Sequence, residues 1–152
     1  MKKRLPVRGF TLIEILVVIG IIAILAAVVI IAINPARQFA QARNSQRQAN
    51  ITSILNALGQ NLADNKGVLG TGCPTISAGS STLGTPAASG IIDLSTCLAP
   101  YLPTGIPMDP VATSSANTQY QVSVDGTGRY LVCALYSDEP SLGSPAELCV
   151  KR

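Results

Sequence analysis

Between Phe10 and Ile33 nearly every position is apolar, and only Thr11 and Glu14 interrupt the run. From Ile15 to Ile33 no charged or strongly polar side chain occurs. A helix rising about 1.5 Å per residue from Phe10 to Ile33 is roughly 36 Å long, enough to cross a hydrocarbon core of about 30 Å. From Asn34 to about Asn65 the pattern becomes amphipathic. Phe39, Ala42, Ala49, Ile54, Leu55, Leu58 and Leu62 recur near helical spacing, while Arg37, Gln41, Arg43, Gln46, Arg47, Gln48 and Asn61 fill the other faces. The two stretches read as one helix of about 55 residues, roughly 80 Å long, with a kink or melted turn just before Pro35. Asp64, Asn65 and Gly67 supply its stop.

Beyond Lys66 the periodicity is lost. Gly70 to Gly90 is dense in Gly, Ser, Thr and Pro and reads as a long surface loop. Asp93 is placed to cap a short helical turn through Leu94 to Leu98, and Ile106 to Pro110 is extended and turn-rich. Tyr120–Val124 alternates apolar and polar residues, as a half-buried strand does. Asp125-Gly126-Thr127-Gly128 is a turn signal, and Arg129–Ala134 is a second strand, so the pair predicts a β-hairpin. A further short strand is expected from Ala146 to Val150. The chain has no internal repeat. The expected class is α+β, with the amphipathic half of a long helix, and Ile54, Leu55, Leu58 and Leu62 above all, packed on a small antiparallel sheet.

Charge sharpens the reading of the N-terminus. The net charge of +3 is uneven, because Lys2, Lys3, Arg4 and Arg8 precede any acidic residue. Past Gly9 seven basic groups face eight acidic ones, a balance that argues against a non-specific nucleic-acid binder. Basic residues before an apolar span keep the N-terminus cytoplasmic and place the chain beyond Ile33 outside. A secretory signal peptide fits less well. The apolar run is longer than a usual h-region, and the nearest small-x-small site, Ala40-Gln41-Ala42, lies far beyond its end. Glu14 needs an account of its own, since a carboxylate at mid-membrane costs about 2.5–3.5 kcal/mol. It marks the cytoplasmic interface, or it meets an amine. Cleavage between Gly9 and Phe10 would create an α-amino group one helical turn before it.

Arg8-Gly9-Phe10-Thr11-Leu12-Ile13-Glu14 and the adjoining run Ile15 to Ala27 resemble the N-terminus of type IV pilins and pseudopilins. The resemblance is dense over about the first 45 residues; the rest is similar only in general layout. It implies four regions: a leader at 1–9, a transmembrane and filament-core half-helix at 10–33, an amphipathic half-helix at 34–65, and a globular head at 66–152. It further implies that a prepilin peptidase cuts after Gly9 and methylates the amine of Phe10. An assembly ATPase and a platform protein would then move the subunit from the cytoplasmic membrane into an extracellular filament of its own copies. There Glu14 would pair with the amine of Phe10 in an adjacent subunit. One departure concerns Pro35. Many members carry a proline near the twenty-second mature position, whereas here the helix proline is the twenty-sixth, so the kink should shift accordingly.

The remaining chemistry is sparse. Histidine is absent, which excludes Ser-His and Cys-His catalysis and His-ligated metals, and no enzyme, cofactor or metal is expected. Cys73, Cys97, Cys133 and Cys149 allow three pairings. Cys97 follows Cys73 by 24 residues and Cys149 follows Cys133 by 16, so neighbours in sequence are favoured: Cys73–Cys97 and Cys133–Cys149. Each would add about 3 kcal/mol to a small, loop-rich head. A zinc site is the rival use, against which stand the lack of any Cys-x-x-Cys and an oxidising compartment. Asp125 to Gly128 could serve a calcium loop, but a hairpin turn explains it more simply, and Asp109, Asp138 and Glu139 read as solvated loop charges. Asn50-Ile51-Thr52 matches a glycosylation sequon inside a predicted helix.

Three function classes compete. The first is a filament subunit, of a type IV pilus or of a type II secretion pseudopilus. The second is a competence pilin that binds DNA. Arg37, Arg43 and Arg47 form a basic run, yet on a helix rather than in an aromatic groove, which favours helix packing or lipid headgroups. Lys or Arg exposed near Tyr on the head would favour DNA. The third is a membrane-anchored domain that never enters a filament. Electron conduction along helix-borne aromatics is disfavoured, since Phe10 and Phe39 are the only aromatics before residue 100.

Overall fold

The computed structural model describes residues 9–85, 89–135 and 148–152. The leader residues 1–8, the predicted strand start at Ala146, and the loop charges Asp138 and Glu139 lie outside the described residues. The chain divides into two compact units, Met1–Gln38 and Phe39–Arg152.

The first unit is dominated by helix α1, Leu12–Ile33, which buries none of its 22 residues. Where the sequence predicts one kinked helix, the structure has two: α1 stops at Ile33, and α2 runs Pro35–Asp64. The break is at Asn34, with φ 48° and ψ 82°. A residue before proline is sterically kept out of the right-handed helical region, and Asn is among the few side chains that accept a positive φ. Proline is then the first residue of the next helix, where its missing N–H is no loss and its fixed φ suits the first turn. Asn34 also starts α2. Its main-chain carbonyl accepts from Arg37 N at 3.1 Å, and its Oδ1 accepts from the same N–H at 3.4 Å.

In the second unit α2 lies over a mixed five-stranded sheet. The strands are β1 (Ser81–Leu83), β2 (Ile91–Ile92), β3 (Tyr120–Val124), β4 (Tyr130–Ala134) and β5 (Leu148–Lys151), ordered β2-β1-β3-β4-β5, and a short helix α3 spans Ser95–Leu98. The expected β3–β4 hairpin is present, and β5 extends it antiparallel. Two expectations are corrected. The sheet is not wholly antiparallel, because β1 and β2 pair in parallel. The segment read as a surface loop contributes β1, whose Leu83 is fully buried. A strand of three residues is too short to show alternation, and its β-propensity is masked by the Gly and Ser around it.

Register explains the core. Tyr120 faces Ala134, and Val122 faces Val132, which in turn faces Val150. Side chains alternate along a strand, so these residues share one face. Onto that face α2 sets Ile51, Ile54, Leu55 and Leu58, joined by Leu83, Leu94 and Leu98. Cys133 and Cys149, directly opposed on the other face, form one disulfide; Cys73 and Cys97 form the second and tie the segment after α2 to α3. Asn61, buried on α2, bridges the same region: its Nδ2 donates to Cys97 O at 3.2 Å and its Oδ1 accepts from Gly70 N at 2.9 Å.

The buried stripe of α2 includes Ile54, Leu55 and Leu58 as expected, but towards the helix start it leaves the predicted phase. Phe39, Ala42 and Ala49 are exposed, and Leu62 is half-buried. The buried positions are Ala40, Arg47, Ile51, Ile54, Leu55, Ala57, Leu58 and Asn61. Arg47 lies one helical turn before Ile51 on the same stripe, so the period puts a cation inside. Arg47 is 1% exposed and Asp109 3%. Asp109 is therefore not a solvated loop charge, and Arg47 is not part of an exposed basic run. Arg47 Nε donates to Asp109 Oδ2 at 2.7 Å, and Nη2 donates to Oδ1 at 3.1 Å, a two-pronged match of guanidinium and carboxylate. Nearby, Asn50 Nδ2 donates to Tyr120 Oη at 2.8 Å and to Met108 O at 3.1 Å, so the sequon's asparagine is already spent on packing. Burial, chiefly, holds the Tyr120 hydroxyl above the usual phenol range.

Candidate functional site

The residues singled out for processing and assembly lie at the start of α1. Gly9 and Phe10 precede the helix, and Phe10 is 84% exposed. Thr11 is the N-cap, with an extended backbone (φ −85°, ψ 150°). Glu14 turns back onto it. Thr11 N donates to Glu14 Oε2 at 2.9 Å, Thr11 Oγ1 donates to the same oxygen at 2.7 Å, and Glu14 N donates to Thr11 Oγ1 at 3.3 Å. This is a reciprocal capping box. The carboxylate is thus satisfied inside its own first turn, beside the positive end of the helix dipole, before any partner amine is considered. Its sequence signal is Thr11-x-x-Glu14 ahead of an apolar run, a helix-start pattern that a comparison of charges alone does not reveal.

Past Glu14 the helix offers nothing but apolar surface. Ile15, Leu16, Val17, Val18 and Ile19 are each at least half exposed, as are Ile30, Ile31 and Ile33 at the far end. By length and composition α1 can cross a membrane. So long an exposed apolar surface cannot stay in water and needs a bilayer or other apolar helices around it. Gly20 leaves open space where a side chain would stand. Pro35 takes part only through the break at Asn34.

The head presents no comparable constellation among the described residues. Asp125 Oδ1 accepts from Thr127 N, Thr127 Oγ1 and Arg129 N at 2.6–2.9 Å, which closes the β3–β4 turn and draws its carboxyl down to about 2. That use of Asp125 is the hairpin reading rather than the calcium one. All four cysteines are joined in disulfides, a state in which sulfur does not ligate zinc. Among the described residues no group of three or more acidic, Cys or His side chains is placed to hold a metal.

Comparison with known proteins agrees with the geometry of the N-terminus. Residues 4–32 match the family model of the prokaryotic N-terminal methylation motif, the signature of type IV pilins and pseudopilins. The matched stretch contains Gly9, Phe10, Thr11 and Glu14 and nearly all of α1. No curated protein and no solved structure matches the chain. Motif and fold together support a type IV pilin-like or pseudopilin protein, of a kind that is structural rather than enzymatic. In general the motif implies processing by a prepilin peptidase and self-assembly, and with α1 it fits anchoring in a membrane before assembly.

Proposed function

We propose that this chain is the subunit of a type IV pilus or pilus-like filament, cut after Gly9, N-methylated at Phe10, and assembled through α1. The observation that carries the reading is the methylation motif on a 22-residue helix with no buried residue. A subunit drawn out of a bilayer must keep that surface dry, and the neighbours available are copies of the same helix. Leader charges hold the N-terminus inside, so the head lies outside, where its two disulfides persist. The ATPase and platform machinery implied by the resemblance supply the work of extraction.

Glu14 has two roles in sequence. In the precursor its Oε2 is taken by Thr11, which lowers the cost of holding a carboxylate in the membrane. After cleavage the amine of Phe10 in an adjacent subunit approaches Oε1. Such a pair sets register more than it adds stability.

N-terminal sequencing and intact mass of protein sheared from the cell surface test the proposal. A chain beginning at N-methylated Phe10 in the sheared fraction is the expected result. An intact Met1 leader, with the protein confined to membranes, overturns it in favour of a simple anchored domain. Processed protein absent from sheared material would instead indicate a short secretion pseudopilus.

A further inference from the structure

The first charged residue after the apolar surface of α1 is a cation. α1 closes with Ile30, Ile31 and Ile33, each at least half exposed. Four residues past Ile33 stands Arg37, exposed, in the first turn of α2. Its main chain is fixed there, since Arg37 N donates to Asn34 O at 3.1 Å and to Asn34 Oδ1 at 3.4 Å. No acidic residue occurs between Glu14 and Asp64, so neither helix offers its guanidinium a carboxylate within several turns. Asp109 is taken by Arg47.

Helix formation does not explain a cation at this place. A cation in the first turn opposes the helix dipole, and the first turn of α2 holds no acidic residue to offset one. Nor does the topology rule explain it, since that rule gathers basic residues on the cytoplasmic side of a span and Arg37 follows the span. Length gives a reason. The 22 residues of α1 rise about 33 Å, close to a hydrocarbon core of about 30 Å. The headgroup layer adds about 5–7 Å on each side. Four more residues cover about 6 Å as helix and at most about 14 Å fully extended. Helical side chains lean toward the N-terminus of their helix, here toward α1, and an arginine stem is long and flexible. Chain connection alone therefore keeps the Arg37 guanidinium within reach of the lipid phosphates.

We propose that Arg37 docks the far end of α1 to the phosphates of anionic phospholipid headgroups, on the reading above that α1 is anchored in a membrane before assembly. The guanidinium fork matches two phosphate oxygens at once. A headgroup with net negative charge attracts it more than one whose phosphate is balanced by choline. The contact sets the depth of α1 in the bilayer and is broken when the subunit leaves it.

The test is carbon–phosphorus recoupling by solid-state NMR on the full chain, isotope-labelled at arginine Cζ and at the isoleucine methyls, in bilayers of mixed phosphatidylcholine and phosphatidylglycerol. The chain has seven arginines, so Arg37→Gln removes about one seventh of the Cζ signal. We expect the removed share to be signal that lipid phosphorus dephases in the parent, about twofold less in phosphatidylcholine alone. Arg129→Gln, in the β3–β4 turn of the head, should instead remove signal that phosphorus leaves untouched. An undephased Arg37 share, or equal dephasing in both bilayers, overturns the proposal. So does an undephased share together with self-association that Arg37→Gln disperses, which would give Arg37 to a carboxylate of a second copy. The isoleucine methyls of α1 report separately on contact with acyl chains. If they make none, the membrane reading itself fails; if they make it while Arg37 stays undephased, only the docking fails.

Discussion

Removing one partner of the Arg47–Asp109 pair should be the most damaging single change in the head. In Asp109→Ala the guanidinium stays 1% exposed and loses bonds of 2.7 and 3.1 Å, while keeping its bond to Asn44 Oδ1 at 2.8 Å. Val111 N, which donates to Asp109 Oδ1 at 2.9 Å, loses that acceptor as well. Breaking a buried pair in this way costs about 3–5 kcal/mol. For a domain of this size that is roughly 12–20 °C of melting temperature. Replacing both partners by apolar residues of similar volume, as in Arg47→Met with Asp109→Leu, removes the stranded charge. The double variant should lie within about 2 kcal/mol of the parent, the remaining loss coming from polar groups such as Val111 N that the pair had satisfied. With Arg47→Met and Asp109→Leu each breaking the pair at that cost, the cycle should therefore show a coupling of at least about 4 kcal/mol. The assay is urea denaturation of the full chain in detergent micelles, monitored by near-ultraviolet circular dichroism. All four tyrosines lie after residue 100 and there is no tryptophan, so the tyrosine band reports on the head. Single losses below about 1 kcal/mol that simply add in the double variant, the behaviour of exposed ion pairs, would refute the reasoning.

Three further perturbations probe the head. Cys133→Ser with Cys149→Ser opens a cross-strand link of sequence separation 16 and should cost about 3 kcal/mol in the same denaturation assay; an unchanged midpoint would show that the reduced sheet keeps β5 paired. Gly84→Ala would drive a Cβ into the carbonyl oxygen of Ala116 and to within 2.9 Å of Ile91 Cγ2. A melting scan should show a loss of about 1–3 kcal/mol, and a neutral result would mean that the β1–β2 edge yields freely. The Asp125 carboxyl lies at about 2 in the folded protein against an ordinary 3.8, so its contribution is complete above the unfolded value and vanishes as pH falls from about 4 to about 2. Asp125→Ala should therefore flatten the acid limb of a stability profile in that window and match the parent's slope above it; identical acid limbs would count against the turn as the cause.

The N-terminal half of the site was legible because its physics is local. A membrane-length apolar run, basic residues before it, and a glutamate one turn past Gly9-Phe10 need no tertiary contact to be recognised. The β3–β4 hairpin was legible for the same reason, since alternation and the Asp125-Gly126-Thr127-Gly128 turn are neighbours in sequence. Even the capping box is written there, as Thr11-x-x-Glu14 at a helix start. What only the tertiary structure decided is where distant residues meet. Arg47 and Asp109 are 62 positions apart, and each alone reads as a surface charge; burial of either makes sense only with the other in place. β1 is three residues long and becomes a strand because β3 and β2 flank it, not through any pattern of its own. Arg152 lies across α2 with its Nη1 on Asn56 Oδ1, a meeting across 96 positions that neither segment announces. Local chain stiffness and hydrophobic period are properties of a sequence window, whereas shared burial is a property of the folded pair.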